Sequence, residues 1–360
     1  MPHLKTPNPR IVLAGSVSSS ARTLEALTRN GANIVGVAGL AESKSAHVSG
    51  YARLDARAAS AKIPYFDFKD INTEDVHRAI QAWAPDLLFI VGLSQMVRPP
   101  LLSLPSIGCI GFHPTWLPKG RGRAPLAWLV LEGVPGAATF FLMDEGADSG
   151  PILIQEPFFV AAIDYATDVE RRILDAIDRA LDRWIPKLQT GEWRPQPQDH
   201  TVATYNGRRG PDDALIKWDR PAREIHSLIR AASRPHPGAH TYVAGHRLLI
   251  WRAESVCDRP YRGVVGRILD VNSAGYLLVQ TGDGLIWLTE YEIPDSEGVY
   301  PRLVSGVKLG YEPQDEIHRL YRVIATLQQE VSELRRGRAG IGEYRTERQL
   351  INSSPKGASE

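Results

Sequence analysis

Apolar positions along the chain come in short dense runs separated by stretches with helical spacing. RIVLAG (10–15) is rich in branched residues, and ARTLEALTRNG (21–31) then places apolar residues three and four apart until Gly31 stops the pattern. NIVGVAGL (33–40) is the next dense run, so the order strand, helix, strand predicts a βαβ unit and a parallel sheet. TEDVHRAIQAWA (73–84) reads as a helix with Thr73 at its N-cap, leading into DLLFIVG (86–92). That run does not alternate, as expected of a strand buried on both faces. CIGFH (109–113), ATFFLM (138–143) and ILIQE (152–156) read as later strands. A long helix follows, with Val169, Ile173, Ile177, Leu181, Trp184 and Leu188 on one face. Thr167 and Glu170 have capping-box spacing at its start, and Gly191 ends it.

The pattern then changes. Residues 191–213 are dominated by Pro, Gly and polar side chains, as in a linker, and REIHSLIRAAS (223–233) reads as a shorter helix. From 240 to 292 short strands alternate with Gly- or Asn-containing turns, which suggests a small barrel or sandwich. Near the C-terminus Ile317, Leu320, Ile324, Leu327, Val331 and Leu334 alternate three and four apart, an a/d seam of about three heptads. Such a helix packs on its own domain or pairs with a second copy, and the spacing leaves both open. The expected organisation is an α/β domain over 1–190, a linker over 191–213 and a β-rich domain over 214–312. An amphipathic helix over 313–336 and a flexible tail over 337–360 complete it.

Composition narrows the class of protein. The 360 residues suggest two domains and an appendage. With 42 basic and 41 acidic residues the net charge is +1, which argues against a large electrostatic footprint for nucleic acid or anionic membrane. Cys109 and Cys257 make no disulfide framework, so a reducing, cytoplasmic setting is expected. The longest apolar run (87–93) is far short of the roughly 20 residues of a spanning helix, and the polar N-terminus does not read as a signal peptide.

Two stretches carry the candidate chemistry: GCIGFHPTWLPKGRGRAPLAW (108–128) and MDEGADSG (143–150). His113 ends a predicted parallel strand, the edge at which open α/β sheets bind ligands. Asp148 lies in a Gly-bounded loop, so the two could form a proton-transfer pair. A structural histidine and a turn aspartate are the plain alternatives. No dinucleotide or P-loop fingerprint is present, and no Cys/His cluster has zinc spacing, so no metal is expected.

Taken together these stretches resemble the 10-formyltetrahydrofolate-dependent formyltransferases, which include the methionyl-tRNA formyltransferases and the sugar N-formyltransferases. The matching residues are His113, Leu117-Pro118, Arg121-Gly122, Pro125 and Asp148-Ser149-Gly150. GRGRAPLAW is especially similar to the enzymes acting on nucleotide-linked amino sugars. IVGLSQMVRPPLL (90–102) resembles the folate-facing loop, and IRAASRPHPGAHT (229–241) the start of the C-terminal domain. The resemblance implies a Rossmann-like domain with a mostly parallel sheet, then a small OB-like β domain and a helical tail. It also implies 10-formyltetrahydrofolate as co-substrate. Leu93, Ser94, Gln95, Met96, Met143, Glu145, Gly146 and Ala147 would face the folate. Pro118, Arg121, Gly122 and Arg123 would face the acceptor, the two arginines meeting an anionic group such as a diphosphate or standing as solvated loop charges.

By the same resemblance, an amine attacks the formyl carbon, an oxyanion develops, and His113 and Asp148 handle the protons. One position departs from the family pattern: the asparagine two residues before the histidine is Gly111. Losing such a donor typically costs about 10²–10³ in rate, so either Ser94, Gln95 or a backbone N–H replaces it, or the reaction is slower or uses a different acyl donor, or the domain only binds. Glu192, Asp199, Asp212, Asp213 and Asp219 offset Arg194, Arg208, Arg209 and Lys217 in and around the linker, so it is no basic run. The expected acceptor is therefore a nucleotide-linked amino sugar or another small-molecule amine. Methionyl-tRNA, a binding role without catalysis, and hydrolysis of the formyl donor are the alternatives. A homodimer through 317–334 is the expected assembly if the seam pairs.

Overall fold

The computed structural model describes residues 7–256, 260–294, 301–310 and 313–351, with side chains of the last helix described as far as Arg336. The first part runs β1 (Ile11–Gly15), α1 (Ser18–Arg29), β2 (Ile34–Leu40), α2 (Asp55–Ser60), β3 (Tyr65–Phe68), α3 (Glu74–Ala82), β4 (Leu87–Val91), α4 (Pro99–Leu102) and β5 (Gly108–His113). It continues with β6 (Arg121–Gly122), α5 (Pro125–Glu132), β7 (Gly136–Leu142), β8 (Ile152–Phe158) and α6 (Ala166–Thr190). Seven of these strands form one sheet in the order β3-β2-β1-β4-β5-β7-β8. The pairs from β3 across to β5 are parallel, whereas β5–β7 and β7–β8 are antiparallel. The connection from β7 to β8 is too short for a parallel crossover, which needs a dozen or more residues.

β1 and β4 are buried along their whole length, because helices cover both faces of the sheet. On one face Leu13, Phe89 and Phe140 pack with α1 and with the apolar stripe of α6. On the other, Val12, Leu88 and Ile90 pack with Val76, Ile80 and Cys109. The α6 stripe from Val169 to Leu188 is buried as expected, and Gly191 closes the helix in the left-handed region. Its start differs from expectation. Asp168 Oδ2 accepts from the Tyr165 backbone N–H, so Tyr165 is the N-cap, while the Thr167 hydroxyl donates to the Arg234 carbonyl.

The second part comprises β9 (Tyr205–Asn206), α7 (Ala222–Ala232), β10 (Ala239–Val243), β11 (His246–Val256), β12 (Ile268–Val271), β13 (Leu277–Gln280) and β14 (Leu285–Glu292). β10 to β14 join one antiparallel sheet in the order β10-β11-β14-β13-β12, closed over a core that takes in Ile225 and Ile229 of α7. The last helix, α8, spans Pro313–Ile351. It continues past Gly337, where the polar tail was expected to fray. Cys257 and residues 352–360 lie outside the described residues. Cys109 is a buried free thiol, pushed up to about 12 by burial. Among the described residues no helix is long and apolar enough to cross a membrane.

The segment expected as a linker does more than connect. Trp193 packs edge-on against Trp184, and Gln196 pairs with Ile152. β9 pairs in parallel with β6, so residues 205–206 extend the loop that follows β5.

Candidate active site

Gly111 and His113 are two apart on β5 and therefore share a face of the sheet. His113 is buried. Its Nε2–H donates to the Gly120 carbonyl at 2.8 Å, and its Nδ1 lies 3.5 Å from Asp148 Oδ2. The tautomer follows from the partners, since a carbonyl can only accept. Asp148 has φ +51°, and its Oδ2 also accepts from the Gly122 N–H at 2.8 Å. One carboxylate oxygen thus ties the loop after β7 both to the histidine and to the loop after β5.

The loop from 114 to 123 is held from several sides. The Thr115 hydroxyl donates to the Lys119 carbonyl, and Thr139 on β7 donates to the Thr115 carbonyl. Thr204 accepts from the Gly120 N–H, and its carbonyl takes the Arg121 N–H. Gly122 has φ +106°, and a Cβ there would sit 2.4 Å from the Asn206 carbonyl oxygen, so the approach of β9 requires glycine.

The two expected acceptor-facing arginines have different surroundings. Arg121 is 1% exposed. Its Nε and Nη2 donate to Gln198 Oε1, Nη1 donates to the Tyr205 hydroxyl, and Nη2 also meets His200 Nδ1. Its fork is spent inside the protein, with no carboxylate partner among the described residues. Arg123 is exposed, as is Lys119, and neither side chain has a partner among the described residues. Pro118 and Gly122 are half-buried.

Gln198 was not foreseen from sequence. While Oε1 accepts from Arg121, its Nε2 donates to the carbonyls of Asp148 and Gly150 at 2.9 and 2.7 Å. It therefore couples a buried cation to the backbone of the loop that carries Asp148. No local motif marks it, because its partners lie 48 to 77 residues away.

The loop after β4 holds the other expected contacts. Gln95 is committed elsewhere: Oε1 accepts from the Ile71 N–H and Nε2 donates to the Lys69 carbonyl. It is thus not free to act in place of the asparagine expected at position 111. Ser94 is exposed and its hydroxyl has no partner among the described residues. Leu93 is half-buried against the core, and Met96 is 84% exposed. In the loop after β7, Met143 is half-buried, and Glu145, Gly146 and Ala147 are exposed, the loop being shaped by Asp144 accepting from the Gly146 N–H and the Ser149 hydroxyl.

Phe141 explains what stands at position 111. It pairs across from Gly111, and its ring covers the glycine so closely that a Cβ would lie 2.6 Å from Cζ. The ring is itself buried, so it has little room to withdraw. Gly111→Asn is therefore expected to destabilise the fold by about 1–3 kcal/mol, as overpacking does, without raising turnover. Adding Phe141→Val should recover part of the loss. Urea unfolding with parallel rate measurement checks this, and a faster, fully stable single variant would contradict it.

Family models locate this architecture. Residues 9–185 match the model described as formyl transferase, and residues 209–302 match the formyl transferase C-terminal domain. A methionyl-tRNA formyltransferase from Syntrophomonas wolfei is 30% identical over 266 residues, covering 70% of this chain and 84% of that protein. Among solved structures, HypX from Aquifex aeolicus in complex with tetrahydrofolic acid superposes with a TM-score of 0.59 at 18% identity, over 81% of this chain. This chain spans 45% of HypX. WlaRD, a sugar 3N-formyl transferase solved in the presence of dTDP and 5-N-formyl-THF, gives 0.57 at 17% identity, over 81% of this chain and all of its own. These two likenesses speak for the fold, whereas the family models and the 30% relative speak for descent: the chain belongs to the formyl transferase family and is a formyl-transferring enzyme.

Proposed function

We propose that the chain is an N-formyltransferase that moves a formyl group from 10-formyltetrahydrofolate to a primary amine, with a nucleotide-linked amino sugar or another small-molecule amine as acceptor. The observation that carries this reading is the His113–Asp148 pair, 3.5 Å apart at the carboxyl end of β5. Two exposed loops carry groups that suit a flat, partly apolar ligand: Met96 offers an exposed apolar side chain, and the exposed stretch 145–147 offers backbone groups. The bound folate supplies the formyl group. The names of WlaRD and of HypX with tetrahydrofolic acid support a folate there.

The chain's own part is to hold and move a proton. In its neutral form, with Nε2–H on the Gly120 carbonyl, His113 turns its Nδ1 lone pair toward Asp148 Oδ2. Two acceptors then face each other, and a proton placed between them converts that contact into a charge-assisted hydrogen bond. The pair thus takes up the proton the amine loses and can return it as the donor nitrogen leaves. The Gly122 N–H holds Oδ2 in place throughout, so little reorganisation is needed.

For the acceptor, Lys119 and Arg123 put two unpaired cations beside the loop that holds Asp148, where a diphosphate would be neutralised. A second reading, methionyl-tRNA as acceptor, is favoured by the 30% identity with a methionyl-tRNA formyltransferase, and the net charge of +1 weighs against it. The test supplies 10-formyltetrahydrofolate with a dTDP-linked amino sugar, free amino sugars or methionyl-tRNA, and reads a mass gain of one formyl group. A gain on the nucleotide sugar is expected. A gain on methionyl-tRNA alone selects the second reading. Release of tetrahydrofolate without any acceptor, or no turnover at all, overturns both.

A further inference from the structure

We infer that α8 is a dimerisation arm, through which two copies of this chain join as a parallel, in-register, two-stranded coiled coil. Every residue of α8 from Ile317 to Arg336 is exposed, so the chain's own body does not cover the seam. The six seam residues are 46% to 69% exposed, from Leu320 to Leu334. Val323 and Tyr321 flank them and widen the apolar stripe, which is more uncovered apolar surface than a helix keeps without a partner.

The identities along the seam select the occupant. Set in heptads, Ile317, Ile324 and Val331 are the a positions, and Leu320, Leu327 and Leu334 the d positions. β-branched residues at a with leucine at d favour two parallel strands over trimers or tetramers. Only a parallel, in-register pairing stacks a on a and d on d. The flanking charges agree. Glu330 is a g position and Arg335 the e position five residues on, and neither has a partner in its own chain among the described residues. In the parallel register Glu330 of each copy lies opposite Arg335 of the other, giving two complementary pairs. The match also sets a limit, since the next a position is Arg338 and the apolar seam ends at Leu334. A second copy therefore meets about three heptads of like sequence, and the body of each protomer stays on the same side of the arm.

The full chain is expected to sediment as a concentration-dependent dimer. Leu320→Glu with Leu327→Glu should give a monomer with unchanged turnover, since neither residue belongs to the site. Orientation is read by Leu327→Cys in a Cys257→Ser background, which mild oxidation should cross-link between copies, because parallel d positions meet each other. Arg335→Glu alone should weaken the dimer, and Glu330→Arg added to it should restore it. A monomer at all concentrations, a dimer that survives both glutamates, or a Leu327→Cys dimer that does not cross-link would each overturn the proposal.

Discussion

Replacing His113 or Asp148 by alanine is expected to lower turnover by about 10³-fold while leaving the protein folded, because each removes half of the proposed proton-handling pair. The loss should fall on kcat more than on KM, since His113 is buried and its ring nitrogens face protein groups. The double variant should be scarcely slower than either single one, as expected of residues that act as a unit. Single-turnover formyl transfer to an accepted amine measures all three. Multiplying losses in the double variant would show that the two residues act separately, and full activity in either single variant would remove that residue from the site.

The second large effect is expected at Gln198, which touches neither His113 nor the Asp148 carboxylate. Gln198→Leu keeps the bulk of the side chain but strips Arg121 of its main acceptor and leaves the carbonyls of Asp148 and Gly150 without their donor. A buried guanidinium left short of partners is costly, so a loss of about 3–5 kcal/mol is expected. Turnover under conditions where the variant is folded should also fall, because the backbone carrying Asp148 is no longer fixed. Arg121→Met, made together with Gln198→Leu, removes the stranded charge and should cost less than the sum of the two single changes. Urea unfolding of the four proteins tests this. Additive losses would show that the contact between the two side chains contributes little.

What could be read from the chain and what could not divides along physical lines. The α6 stripe and the runs at β1, β2 and β4 are local patterns, and local periodicity suffices to place them. β3 escapes that logic because YFDF is four residues long and carries a charge. α5 escapes it because PLAWLVLE is apolar on nearly every side and shows no period. His113 and Asp148 could be named from their motifs, but their approach could not be measured there. Arg121 shows the limit most clearly. Its place in a Gly-rich loop reads as exposed, and only the return of the chain at Gln198, His200 and Tyr205 encloses it. The Phe141 ring over Gly111 is likewise a cross-strand contact, invisible until the register of β5 and β7 is known.

The pairing of β9 with β6 bears on how this enzyme can be divided. A fragment ending with α6 at Thr190 would contain both His113 and Asp148 yet lack Gln198, Thr204 and Asn206. It would also lose the Gly207 carbonyl that accepts from the Trp128 indole N–H. The smallest portable catalytic unit therefore ends beyond Gly207. Grafts, swaps or split versions of this protein should place their junction after that residue, where the chain has finished bracing the site and begins to build its neighbour.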